Sequence, residues 1–456
     1  MKNIMWLAIA AVAVVAVAGA AVLLTGDNGN DTVIEEPEPF DPAKETSDAK
    51  GRLWIVGNAN MDDVLDENDI IWIQKILDKK ANEVIFNTGL EGGVDVRMAD
   101  ANQDGKVDSA DIDKVRSMIN AKPGDPKQEI YYVDVDGLVS MMHYPAKTMI
   151  STYEQNTKQV QTIHALDDIV ACDHQSAGHV ETGGVLNDKI IFNSYGERKD
   201  PKAEVVLQHP ADLILTGTRD IYCQTLEGAL PANRTNLDLI RISSWEDGNV
   251  IAGTLTLGFM IQKNTEALAY AQWATGWIDT IQSKVSQLSP DDIVKVLVPR
   301  GQMSDWNISM NGPGSGKYET SVLAGANNIA TLPSTGKVSD EWVKEQSDLD
   351  FIVAIVYEGF DVGHLTSGFT NKSFYDTAVE YWSGMTSAYG TQVHVVDNLV
   401  SQGTSFVIGA VYMAKWFYPE LFADMNPDAI FQEFCDDFLQ YDIDVAEFQA
   451  NGGIAI

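Results

Sequence analysis

Cysteine and positive charge are what this chain has least of. Three cysteines, Cys172, Cys223 and Cys435, stand in 456 residues. That excludes a disulfide scaffold and leaves buried free thiols or a single bridge. Lys and Arg together number 31 against 66 Asp and Glu, a formal net charge of -35. Phosphate-backbone recognition needs clustered Lys and Arg, so nucleic acid is excluded as a partner. The same balance disfavours docking on an anionic membrane surface and favours solubility. Catalytic signatures are missing too: there is no nucleophile elbow and no zincin motif. NGPGSGKYE, Asn311 to Glu319, has Asn311 where a phosphate loop needs its first Gly and Tyr318 where it needs Ser or Thr.

One long apolar run is present. Met5 to Leu24 is an unbroken stretch of 20 residues, enough to span a bilayer as a helix. Lys2 precedes it, and Asp27, Asp31, Glu35 and Glu36 follow it. This arrangement puts the bulk of the chain outside the cell. Ala16-Val17-Ala18 and Ala18-Gly19-Ala20 would serve a signal peptidase, so residues 1–25 read as a membrane anchor or a cleaved signal segment; the length of the run favours the anchor. Either reading exports the chain, where the sequons at Asn233, Asn307 and Asn371 could carry glycans. Residues 26–50, acidic and broken by Pro37, Pro39 and Pro42, read as an extended linker.

Residues 51–122 contain a repeat. NANMDDVLDEND (Asn58 to Asp69) and DANQDGKVDSAD (Asp100 to Asp111) align position by position, and each runs into a segment of helical period. A 12-residue calcium loop supplies oxygens from positions 1, 3, 5, 7, 9 and 12. In the second loop these are Asp100, Asn102, Asp104, the carbonyl of Lys106, Asp108 and Asp111, with Gly105 at the sharp turn. In the first they are Asn58, Asn60, Asp62, the carbonyl of Val64, Asp66 and Asp69. There position 1 is neutral and position 6 is Asp63, which predicts weaker binding. A duplicated loop–helix block, with Asp at position 12 and no helix entering the second loop, resembles a dockerin module. The resemblance implies a small all-α, EF-hand-type module folded by structural Ca2+ and a cohesin-like partner. A calcium-stiffened spacer is the alternative.

From residue 127 onward, strand-like and helical segments alternate, which argues α/β layering. MISTY, IVACD, LILTG, LIRIS, VKVLVPRG, LDFIVAIV and VHVVDN read as strands. Between the two groups, residues 261–289 read as one long helix. The architecture expected is two lobes, 127–260 and 290–456, joined by that helix. Several segments carry a further likeness. YPAKTMISTYEQNTKQVQTIHALDDIVACD, ADLILTG, GKYETSVLAGANNIA with KVSDEWVKEQSDLDFIVA, and GAVYMAKWFYPELFADMNPDAIFQEFCDDFL resemble the solute-binding proteins of ABC importers for ferric siderophores, haem and cobalamin.

The resemblance implies two Rossmann-like lobes and capture of a metal chelate between them for delivery to a membrane permease. Ligand contacts are expected just after strands: Thr152, Tyr153, His174, Arg219 and Trp245 in the first lobe, and Arg300, Trp306, Tyr357, Phe360 and His394 in the second. It also implies one permease-docking glutamate per lobe, at Glu154 and Glu319. No catalytic residue is assigned. The competing readings are a dockerin-bearing enzyme acting on polysaccharide and a calcium-dependent surface adhesin.

Overall fold

Each copy of the repeat folds as a loop that runs into a helix, Glu67–Leu77 in the first and Ser109–Asn120 in the second. Both helices start alike. Asp66 and Asp108 cap them from outside, and Asp69 and Asp111 return the contact from the third helical position, the reciprocal arrangement that satisfies two orphan N–H groups. In the second helix the buried positions Asp111, Ile112, Val115 and Met118 form one stripe at helical spacing. The computed structural model describes residues 40–178, 184–230, 237–245, 249–300, 308–333, 335–356, 372–386, 390–439 and 444–450. The chain divides into two units, Met1–Tyr144 and Pro145–Ile456.

The first unit is larger than the repeat and is not all-α. Strands β1 (Gln128–Val133) and β2 (Val139–Tyr144) form an antiparallel hairpin. Gly137, at φ 75°, and the Asp134 carboxylate, which accepts N–H groups of Asp136 and Leu138, close its turn. The hairpin joins the module through a bridge between Ile55 and Tyr132, both fully buried. The boundary between units therefore falls after Tyr144, not between 122 and 127. The end of the expected linker is also part of this unit: Glu45 bridges to Ala81, and Asn82 donates to the Asp41 carbonyl. Met5 to Leu24 and the three sequons lie outside the described residues; among those described, no helix is long and apolar enough to cross a membrane.

The second unit carries two parallel sheets. The first contains β3 (Met149–Ser151), β4 (Ile169–Asp173), β5 (Ile190–Phe192), β6 (Leu213–Thr216) and β7 (Asp238–Arg241), in the order β5-β4-β3-β6-β7. The second contains β8 (Lys295–Leu297), β10 (Asn327–Asn328), β12 (Phe351–Val356) and β13 (Gln392–Asp397), in the order β10-β8-β12-β13. A separate hairpin pairs β9 (Ile308–Asn311) with β11 (Thr335–Val338). All seven strands expected from apolar runs form.

The long helix is shorter than expected, Asn264–Val285 with 22 residues, about 33 Å at the usual rise. A separate, wholly buried helix, Val250–Met260, precedes it. Gln262 takes φ 60°, and the Lys263 N–H returns to the Gly258 carbonyl, a left-handed helix stop. A Cβ on Gly258 would lie 2.4 Å from that of Ala267, so glycine lets the second helix fold back against the first.

Candidate functional site

Parallel strands release their chain at one edge, and helices and loops beyond that edge form the usual binding crevice. In the first lobe, three rings meet there. Tyr153 follows β3, Tyr222 lies beyond β6 and Trp245 beyond β7. Their ring centroids are 5.4 Å (Tyr153–Tyr222), 5.3 Å (Tyr153–Trp245) and 5.7 Å (Tyr222–Trp245) apart. The Tyr153–Trp245 pair is edge-to-face and the other two are tilted. Gly217 makes the cluster possible, because a Cβ there would sit 2.2 Å from the Trp245 ring. Tyr153 and Trp245 are half-buried, whereas Tyr222 is buried. Burial first, then the neighbouring Tyr195 and Glu154, push the Tyr222 hydroxyl far above its ordinary value, so it stays protonated.

Beside the rings lies a closed charge group. Arg198 pairs with Glu154 and stands 3.8 Å from the Asp173 carboxylate. Its guanidinium lies 5.0 Å from the centre of the Tyr153 ring and 5.1 Å from that of Tyr195. Desolvation works against the charge, but Glu154 and Asp173 outweigh it and hold Arg198 above its ordinary value. Asp173, fully buried at the end of β4, also accepts from Gln175 N–H and Ser176 Oγ.

Tyr153, Trp245, His174 and Arg219 each follow a strand of the first sheet at this edge. His174 starts a short helix after β4, and its buried Nδ1 has no partner among the described residues. Thr152 does not join them; it is fully buried and its hydroxyl donates to the Leu215 carbonyl at 2.9 Å. Glu154, expected on a docking surface, is mostly covered by its pairing with Arg198. Tyr222, Tyr195, Arg198 and Asp173 were missed. Tyr222 and Asp173 carried the same signal as the others, a position at or after a strand end. The Arg198–Glu154 pairing spans 44 positions and has no local signature.

In the second lobe, Arg300 follows β8 and bridges to Ile355 near the end of β12. His394 is not at the edge. It lies inside β13, opposite Val353, and stacks on Trp416 with centroids 4.3 Å apart. Trp306, Tyr357 and Phe360 lie outside the described residues. Glu319 sits in the first turn of helix Gly316–Leu323. Burial raises its pKa, and the Gly314 N–H opposes the rise.

A polar junction ties the lobes together. The helix Glu154–Thr162 is buried over nearly its whole length, although its sequence is EQNTKQVQT. Lys158 Nζ donates to Ser405 Oγ at 2.7 Å and the Thr162 and Thr404 hydroxyls are 2.8 Å apart, while within the second lobe Lys317 Nζ donates to Gln402 Oε1 at 2.7 Å. Gly403, at φ 62°, packs directly on Gln155.

The loops of the first unit share one backbone frame. Position 4 is left-handed in both, with φ 56° at Met61 and at Gln103. The N–H of position 5 donates to the side chain of position 1 at 3.2 Å in each. The carboxylates of Asp69 and Asp111 accept from positions 3 and 9 in the same way. Position 1 separates them. Asn58 also donates, to the carbonyls of Leu53 and Asp62. Asp100 only accepts, from Asp104 and Gly105. At position 6, Asp63 is paired with Arg52 at 2.8 Å, whereas Gly105 takes φ 88°. Among the described residues no three His, Cys, Asp or Glu side chains converge as a ready metal-holding group. The carboxylates accept backbone N–H groups instead.

No protein-family model and no curated protein matches the chain. Solved structures do. The TroA-like periplasmic binding protein FepB from Veillonella parvula superposes with a TM-score of 0.54 at 17% identity, covering 69% of this chain and 97% of that one. The molybdate periplasmic binding protein MolA from Haemophilus influenzae gives 0.51 at 14% identity, covering 69% and 99%. CeuE from Helicobacter pylori, solved with nickel and histidine, gives 0.51 at 12% identity, covering 71% and 99%. The covered share of this chain is about the size of its second unit. These likenesses establish its fold, that of a TroA-like periplasmic binding protein.

Proposed function

We propose that the chain is the extracytoplasmic solute-binding component of an ABC importer, held at the membrane by Met5 to Leu24, which captures a metal chelate and delivers it to a permease. The observation that carries this reading is the Tyr153–Tyr222–Trp245 cluster at the carboxyl edge of the first sheet. The half-buried rings of Tyr153 and Trp245 there suit a flat chelate of the ferric-siderophore, cobalamin or haem kind. Of the two docking glutamates, Glu319 keeps the role and Glu154 is withdrawn from it by Arg198. The test is ligand-induced thermal stabilisation and tryptophan quenching across a panel of such chelates, with no turnover. Absence of any shift with the whole panel, or release of sugar from polysaccharide, would sink the proposal.

The first unit is read as a calcium-folded module that presents the lobes. The second loop offers only oxygen donors, which suits a hard cation. Burial raises the pKa of Asp111 to about 6, backbone N–H groups oppose the rise, and Asp100 and Asp104 add to it by repulsion. A cation would relieve that repulsion. Bound Ca2+ would supply charge neutralisation and cross-linking of the loop. A cohesin-like partner belongs to the same reading, and capture of a purified cohesin domain by the calcium-loaded chain, abolished by chelator, tests it.

A further inference from the structure

The two loops of the first unit share a frame, but the first is held by the chain just before it. Residues 47–53 lie against that loop. The Gly51 N–H donates to the Met61 carbonyl at 2.7 Å, and Ser47 Oγ donates to the Asn60 carbonyl. Arg52 gives Asp63 its backbone N–H at 2.7 Å and its guanidinium at 2.8 Å. Asn58, fully buried, donates to the Leu53 and Asp62 carbonyls at 2.8 and 2.7 Å and accepts from the Asp62 N–H. Those partners fix which end of its amide is nitrogen. The approach is close: a Cβ on Gly51 would lie 2.0 Å from the Asp62 carbonyl. The second loop is more open. Arg97 donates to the Gly105 carbonyl at 2.8 Å but shares its guanidinium with Glu83, and a Cβ on Gly105 would meet open space.

Charge runs the same way. The ligand positions of the second loop carry the carboxylates of Asp100, Asp104, Asp108 and Asp111; those of the first carry only Asp62, Asp66 and Asp69. Calcium affinity is tuned by ligand charge and by rigidity. An ion adds folding energy where it orders a loop that is not already ordered. Resting on the calcium reading above, we infer that the first loop takes no calcium. Residues 47–53 hold it in the ion's place, and the chain binds one Ca2+, in the second loop. The dockerin likeness implies two such ions, and the first loop does not fit the second of them.

The experiment uses the full chain, stripped of metal, at pH 7. Bound calcium is counted by equilibrium dialysis at ~1 mM free Ca2+, the upper range for extracellular modules. One ion per chain is expected. Asp104→Asn should weaken its binding about tenfold or more, whereas Asp62→Asn should leave number and affinity unchanged. Gly51→Ala, which pushes residues 47–53 off the first loop, should lower the first calorimetric transition in chelator and leave the ion count at one. Two ions per unmodified chain overturn the inference without recourse to any variant. So does loss of bound calcium in a D62N chain whose far-ultraviolet circular dichroism is unchanged, or a G51A chain that melts like the parent. No bound ion at all overturns the calcium reading of the first unit, and this inference with it.

Discussion

The two units bury charge in opposite ways. In the second unit, two buried guanidinium groups are met by carboxylates of the chain itself: Arg198 by Glu154 and Asp173, and Arg241 by Glu227, with the carbonyls of Gly217 and Tyr222 added. In the first unit, Asp69 and Asp111 are fully buried with backbone N–H groups as their opposing contacts. A closed group holds the fold without help. An open group costs stability until something positive arrives. The contrast predicts that a cation stabilises the first unit and not the second, and each prediction below tests one side of it.

Removal of calcium should have the largest effect. In excess chelator at neutral pH, the melting transition of the first unit is expected to fall by on the order of 10 °C or more, while that of the second stays in place. Calorimetry of the full chain should show the two separate. The pH dependence has a definite sign. Burial pushes Asp69 up to about 8 and Asp111 up to about 6, from an ordinary value of 3.8. The metal-free folded state therefore holds protons more tightly than the unfolded state. Its stability should fall as pH rises from about 4 to about 8, and calcium should reverse that slope. A first transition indifferent to chelator would break the comparison.

Next comes the junction of the second unit. Gly403 has a left-handed backbone, and a Cβ there would lie 2.2 Å from Gln155 Oε1. Gly403→Val is expected to cost about 3 kcal/mol or more, from backbone strain together with overpacking. Denaturant unfolding should show the loss in the second unit alone, whether or not calcium is present.

These two effects differ in how far they can be read from sequence. The repeated loops are local, with the contacts they have in common all inside 12 residues, so their shared frame was legible. The strands were legible too, because runs such as FIVAIV are buried on both faces. The junction was not. EQNTKQVQT has the composition of an exposed helix, and it is buried because residues 402–405, some 240 positions later, cover it. The hairpin Gln128–Tyr144 was missed for a related reason. Its alternating QEIYYV reads as the start of the α/β region, and contacts distant in sequence, with Ile55, Val56 and Ser117 among them, assign it to the first unit. His394 is a position within a strand, not after one. Its stacking on Trp416 depends on which face of β13 the helix Phe406–Phe417 covers.

Within the first unit, the loops themselves form a smaller version of the comparison. Asn58 closes its loop by donating to two carbonyls, whereas Asp100 leaves a charge open. Asn58→Asp should therefore lower metal-free stability by about 2 kcal/mol, since a buried carboxylate would face the carbonyls of Leu53 and Asp62. Asp100→Asn should instead be neutral or stabilising without metal and weaken the calcium response. Thermal melts with chelator and with calcium distinguish the two substitutions. Equal effects would mean that the loops are equivalent despite position 1.

The smallest effect is expected at Glu319, which differs from Arg198 and Arg241 in having no opposite charge among the contacts that set its pKa. This carboxylate is partly desolvated, and the Gly314 N–H is the contact that opposes the rise in its pKa. A raised pKa means that the ionised form is the less stable one in the fold, so stability carried by this group falls as pH rises through the carboxylate range. Glu319→Gln removes the charge and should raise stability at neutral pH by less than about 1 kcal/mol, offset in part by the lost helix-dipole contact. An open charge on a half-buried glutamate is what a docking contact to a cationic permease surface requires. Uptake into cells should therefore drop in E319Q while chelate affinity of the purified protein is unchanged. A loss of affinity would move Glu319 into the cleft and out of the docking role.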